Sequence, residues 1–82
     1  MDNQKINLVN RIISKHLKIP HEKLSDDISH DLESNWDSVA HLKMISEIEE
    51  SMKIKFSVEE IISLDSVGRI RGAVIKKIKG RG

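Results

Sequence analysis

Apolar residues recur at intervals of three and four along most of this 82-residue chain, and no stretch alternates apolar with polar positions for long. A period near 3.6 buries one stripe of a helix, whereas a half-buried strand needs a period of two. The fold expected is therefore all-α. Ile6, Val9, Ile13 and Leu17, with Ile12 beside them, predict a first helix over about residues 3–17. Pro20 closes it, because the residue before a proline is pushed out of the helical region. Leu42, Ile45, Ile48 and Met52, flanked by Met44, predict a second helix over 38–52, with Asp37 as its N-cap. Ser57-Val58-Glu59-Glu60 has capping-box spacing and opens a short third helix through Ile62. Asp65 or Ser66 can cap a fourth, with Val67, Ile70, Val74 and Ile78 facing inward. Gly68 and Gly72 each weaken that helix by about 1 kcal/mol relative to Ala, and they leave room for a neighbour to approach closely.

The connection over residues 18–37 is longer than a compact domain usually leaves without structure. Leu24, Ile28 and Leu32 recur at fours within it and are expected to pin it to the core, with room for one short turn. Gly80-Arg81-Gly82 is expected to fray. The whole, residues 1–82, reads as one domain, near the lower size limit for a single core. Its architecture is a small four-helix bundle with three longer helices, one short helix and a long first loop.

Composition removes several function classes. The chain has no Cys, which excludes disulfides, thiolate catalysis and Cys-based zinc sites. Fourteen Lys and Arg face thirteen Asp and Glu, for a net charge of +1, whereas a dedicated nucleic-acid binder carries a basic excess. No apolar run reaches bilayer length, and residues 1–5 lack a signal-peptide core. A cytoplasmic monomer that does not insert in a membrane is expected. The balance conceals a division: residues 25–37 hold five acids and no base, while residues 65–82 hold six bases and one acid. Ordinary solvated faces account for such a pattern, and so does a docking surface.

Chemistry concentrates in Asp31-Leu32-Glu33-Ser34-Asn35-Trp36-Asp37-Ser38-Val39-Ala40-His41-Leu42. Ser38 falls in the first turn of a helix, beside a capping Asp and after a polar loop, so its hydroxyl is expected to face solvent. Unpaired N–H groups and the positive end of the helix dipole favour a phosphate attached there. Asp37 opposes that phosphate electrostatically, so it caps the helix or serves a modifying enzyme's metal ion. Alone, the Asp-Ser pair is an ordinary helix start.

In register with the long loop, the apolar helix that follows, Phe56-Ser57-Val58-Glu59-Glu60-Ile61 and Ser66-Val67-Gly68, the segment resembles the acyl carrier protein family over essentially the whole chain. It looks most like specialised bacterial carriers whose motif reads Trp-Asp-Ser-Leu and continues Ala-His-Leu. Val39 stands where that family has Leu. The resemblance implies a non-catalytic carrier. A phosphopantetheinyl transferase would attach 4′-phosphopantetheine from coenzyme A to Ser38, with Asp37 in transferase recognition. The arm's thiol would hold an acyl or aminoacyl group as a thioester, supplied by a loading ligase or acyltransferase and passed to a downstream transferase or synthase. Tethering raises effective concentration at each transfer.

Carried over residue by residue, the partner face comprises Val39, Ala40, Lys43, Ser46, Glu47, Glu49 and Glu50, although a plain solvated helix face accounts for the three acids equally well. Familiar fatty-acid carriers are strongly acidic here. Ala40 and Lys43 depart from that pattern and favour a dedicated pathway with its own loading enzyme.

Other readings carry less. Asp37, Ser38 and His41 lie on one helical turn with no oxyanion site in view, which argues against a hydrolase. His41 is expected to be partly buried with one hydrogen bond. His16, His21 and His30 lack metal-ligand spacing, and no metal site is expected. Trp36 is read as a packing anchor that holds the loop near Ser38. Two alternatives from other classes stay open: a small DNA-binding domain using the basic C-terminal helix with Lys76, Lys77, Lys79 and Arg81, and an unmodified carrier-like adaptor.

Overall fold

The structure is a computed structural model and describes residues 3–31 and 33–80. Four α-helices follow in order: α1 (Asn3–Leu17), α2 (Ser38–Met52), α3 (Val58–Ser63) and α4 (Val67–Gly80). The expected short turn in the first loop is a single 3-10 turn at His21–Lys23. The Cα radius of gyration, 11.7 Å, is that of a compact chain of this length.

The spacing seen in the sequence buries most of the stripes it predicts, although Ile6 is only half-buried and stays outside the core. Val9, Ile12, Ile13 and Leu17 of α1 meet Met44, Ile45, Ile48 and Met52 of α2 and Val67, Ile70 and Val74 of α4. Ile78 is partly buried against this core. Leu42 departs from expectation, since it is 58% exposed. It lies on the flank of α2 that faces α3, and six-residue α3 contributes no fully buried side chain of its own. Ile54 and Phe56, between α2 and α3, are buried while Lys53 and Lys55 point outward.

The helix ends show how each is set. Beyond Leu17 the chain leaves α1 through Lys18 in the left-handed conformation, φ 59°, so the turn precedes Pro20. Lys53 plays the same part after α2, at φ 58°, with its N–H donating to the Glu49 carbonyl. α3 carries the full capping box of Ser57 and Glu60, and it ends one residue later than predicted. At the start of α4 the Ser66 hydroxyl accepts from Arg69 N–H at 3.1 Å, which selects Ser66 over Asp65 as the cap.

The long loop is fastened to the α3–α4 connection. Val67 N–H donates to the Ile28 carbonyl and His30 N–H to the Asp65 carbonyl, both at 2.9 Å, around an isolated antiparallel bridge between Ser29 and Ser66. Arg71 ties three segments together, donating to Asn10 Oδ1 of α1 and Asp26 Oδ1 of the loop at 2.8 Å each. Leu24 and Ile28 pack against the core as expected. Leu32, the third expected pin, lies outside the described residues, as do positions 81 and 82 of the expected frayed end. Gly80 is the last residue of α4.

Candidate functional site

Ser38 opens α2 and is exposed. Asp37 precedes it in extended conformation, and its Oδ1 accepts from Ala40 N–H at 2.8 Å. No acidic side chain occupies the first turn of α2. The Ser38 hydroxyl therefore stands beside amide donors at the positive end of the helix, with one carboxylate oxygen next to it engaged in the cap.

Trp36, two residues before Ser38, is 2% exposed. Its indole Nε1–H donates to His41 Nδ1 at 2.9 Å. The other nitrogen of that ring, Nε2, lies 2.8 Å from the Ile61 carbonyl of α3. A carbonyl only accepts and an indole N–H only donates. His41 is therefore the neutral tautomer with its hydrogen on Nε2, and it makes two hydrogen bonds where sequence reasoning expected one. The ring of His30 also meets Trp36 edge-on, with centroids 6.1 Å apart.

Ser38 also lines an open pocket of about 460 Å³. Leu42, Ile62 and Leu64 give it an apolar part, and His30, Asp31, His41 and Asp65 a polar part. Around it the surface is unusually apolar: Val39 and Leu42 of α2 and Val58 and Ile62 of α3 are all well exposed, the last two at 73%. Isolated exposed apolar residues are ordinary. Four on two helices, with Leu42 and Ile62 of them lining one pocket, are more than isolated exposure and are of the kind that marks interaction sites.

The α2 residues expected to face partners divide into two groups. Val39, Lys43, Ser46 and Glu50 are exposed, and Ala40 is half-buried. Glu47 and Glu49 are committed within the fold. Glu47 receives Lys15 Nζ and lies against His16 Nε2 of α1, each at 2.8 Å. The hydrogen bond from Lys15, then that from His16, holds its carboxyl below the usual glutamate range against a small opposing effect of burial. Glu49 Oε2 accepts from Phe56 N–H at 2.8 Å and so orients the segment after α2. Of the three acids, Glu50 alone is exposed and has no ion-pair partner among the described residues.

The basic face of α4 is similarly engaged. Arg69 pairs with Asp65 and Arg71 with Asp26. Lys77 sits 3.0 Å from Glu60 and over the Phe56 ring. Lys76 and Lys79 are exposed, and Arg81 lies outside the described residues. Among the described residues, no three His, Asp or Glu side chains converge as a metal site, and no helix is long and apolar enough to cross a membrane.

Sequence reasoning missed the His41–Ile61 link, because a backbone carbonyl has no sequence signature. It also missed the commitment of Glu47 and Glu49, since the chain order gives a charge but not its partner. The pocket wall at Ile62 and Leu64 had a weak signal in their closeness to the capped start of α3.

The chain is thus a small, compact four-helix bundle, consistent with a carrier-like or adaptor fold. No protein-family model and no curated protein matches it.

Proposed function

We propose that this chain is an acyl carrier protein of a specialised biosynthetic pathway, carrying 4′-phosphopantetheine on Ser38. The observation that carries the reading is the placement of one exposed serine at the capped start of α2, on the rim of a pocket whose apolar part is Leu42, Ile62 and Leu64. The resemblance of the Trp36-Asp37-Ser38 segment to the carrier family supports it independently.

The residues present fit such an attachment. Ser38 Oγ forms the new phosphoester bond with the β-phosphorus of coenzyme A as the pyrophosphate bond to adenosine 3′,5′-bisphosphate breaks. Its proton passes to a base of the transferase. Asp37 keeps the helix start rigid through Ala40 N–H and leaves its second oxygen for transferase recognition. When bound, the arm supplies a thiol that holds an acyl or aminoacyl group as a thioester, and this chain contains no other thiol.

Transfer chemistry belongs to the partners: the phosphopantetheinyl transferase, a loading ligase or acyltransferase, and a downstream transferase or synthase. The chain itself is non-catalytic and works in the cytoplasm. Val39, Leu42, Val58 and Ile62 offer an apolar contact, with Lys43 and Glu50 as a nearly neutral charged rim. Such a surface suits weak docking that must be undone at each turnover.

Intact mass after incubation with coenzyme A and a broad-specificity phosphopantetheinyl transferase tests the reading. Wild type is expected to gain one phosphopantetheine and Ser38→Ala none. An unmodified wild type, or a modified Ser38→Ala, makes the assignment wrong. If mass stays constant while helicity persists, the adaptor reading replaces it. Duplex DNA is expected not to bind at physiological salt.

A further inference from the structure

We propose that His41 is a positioning residue for the modification of Ser38, holding the loop before the serine and the helix opposite it with the two nitrogens of one ring. This inference rests on the carrier reading of Ser38. His41 sits one helical turn after Ser38 and lines the same pocket. Through Nδ1 it accepts from Trp36, two residues before Ser38 and almost wholly buried. Through Nε2 it donates to the Ile61 carbonyl of α3, and the next residue, Ile62, lines the pocket. Serine, loop and α3 are thus referred to a single side chain.

The arrangement matters because α3 is lightly held. It buries no side chain fully, Ile61 packs on the core only in part, and its polar links to α4 are the half-buried Lys77–Glu60 pair and a 3.4 Å contact from Arg69 to the Ser63 carbonyl. The indole N–H has one hydrogen to donate and is buried, so an acceptor at position 41 fixes the loop over residues 33–37 beside Ser38, together with the bond from Asn35 Nδ2 to the Leu17 carbonyl at 3.1 Å. A residue that can neither accept from the indole nor donate to the carbonyl removes one tie from each wall around Ser38. The core shared by α1, α2 and α4 does not include His41, and apart from the Trp36 ring it draws nothing from the loop over residues 33–37. A small displacement of a reacting hydroxyl slows its reaction much more than it weakens reactant binding.

Substitution separates this role from mere packing. Leu fills the space of His41 but has no polar atom. Asn offers an acceptor near the Nδ1 position only. Gln carries a donor near the Nε2 position together with an acceptor on the same amide, and so serves Ile61 and Trp36 at once.

The experiment measures transferase kinetics on wild type, His41→Leu, His41→Asn and His41→Gln, at a temperature where circular dichroism shows the variants helical. Proton–nitrogen correlation spectra of the Trp36 indole and the His41 ring accompany the kinetics. The wild-type ring is expected to show hydrogen on Nε2 and none on Nδ1. His41→Leu is expected to lose about tenfold in kcat with the KM for coenzyme A unchanged, and its indole proton resonance shifts. His41→Gln stays within about twofold of wild type, as a group able to form both bonds does. Should His41→Leu fail to fold, His41→Asn takes its place, with an intermediate loss.

A folded His41→Leu or His41→Asn that is modified at the wild-type kcat overturns the inference while leaving the carrier reading intact. So does an indole resonance that does not respond to the loss of His41. A wild type that gains no mass at all overturns the carrier reading, and this inference with it.

Discussion

Gly68 in the first turn of α4 lies against Asp26 of the long loop: its N–H donates to the Asp26 carbonyl at 3.3 Å, and a Cβ at position 68 would come within 2.9 Å of the Asp26 Cβ. That atom is anchored next to the backbone and cannot swing away. Gly72, one turn further, has nothing within 4 Å of a Cβ built upon it.

The two glycines therefore respond to alanine with opposite signs. Gly72→Ala gains helix propensity at no steric cost and is expected to stabilise the domain by up to about 1 kcal/mol. Gly68→Ala gains less propensity near the helix start and must push the loop away, for a net loss of about 1 kcal/mol or more. Chemical denaturation of both variants checks the pair. Equal shifts of the same sign would refute the close contact.

Glu47 makes stability depend on acid. Its carboxyl is depressed in the folded state, chiefly by Lys15 and then by His16. A depressed carboxyl stabilises the fold fully above its unfolded range and loses that contribution as pH falls through its folded value. Glu47→Gln is expected to lower stability at pH 7 by about 0.5 kcal/mol, as a partly exposed pair between two helices does. The difference from wild type begins to narrow in the ordinary carboxyl range, about pH 4, and closes in more acid solution, below the depressed folded value. Urea midpoints at both pH values measure it, and a gap that persists in acid contradicts the pairing.

Asp37 combines a structural and a chemical part that substitution can separate. Asp37→Ala removes the cap on Ala40 N–H and is expected to cost about 1 kcal/mol, whereas Asp37→Asn keeps the accepting oxygen and costs a few tenths. Transfer of phosphopantetheine is expected to slow in both. Wild-type transfer rates in a folded Asp37→Asn would show that the charge plays no part beyond the cap.

Lys53 spends its native life at φ 58°, in a region that disfavours side chains. Lys53→Gly is expected to raise the thermal midpoint, by up to about 1 kcal/mol in free energy, because the left-handed C-cap is the position where glycine gains most. A lowered midpoint would mean that the lysine stem contributes more through packing than the conformation costs.

Much of this fold was legible in the sequence because burial follows period. Val9, Ile13 and Leu17 announce the inner face of α1, and Asp37 and Ser57 announce two helix starts through chemistry local to a few residues. Leu42 was misplaced because periodicity gives the angular position of a side chain, not the length of the neighbour that should cover it. Lys53-Ile54-Lys55-Phe56 alternates, and its buried pair was readable on a period of two. Ser38 after a capping Asp reads alone as an ordinary helix start, and the resemblance of the whole segment to the carrier family singles it out. The ties around it could not be read, since Trp36–His41–Ile61 joins a loop, a helix and a carbonyl whose meeting depends on tertiary packing. Glu47 and Glu49 show the same limit: the acids are visible in the chain, while Lys15 of α1 and the Phe56 amide are found only in three dimensions.

The buried indole has an optical consequence. Trp36 is the only tryptophan and the chain has no tyrosine, so near-ultraviolet emission arises essentially from one ring two residues from Ser38. The ring has two histidine neighbours, one hydrogen-bonded and one edge-on. The native protein thus carries an intrinsic fluorophore at its candidate site, and docking or modification there can be titrated by light without an added label.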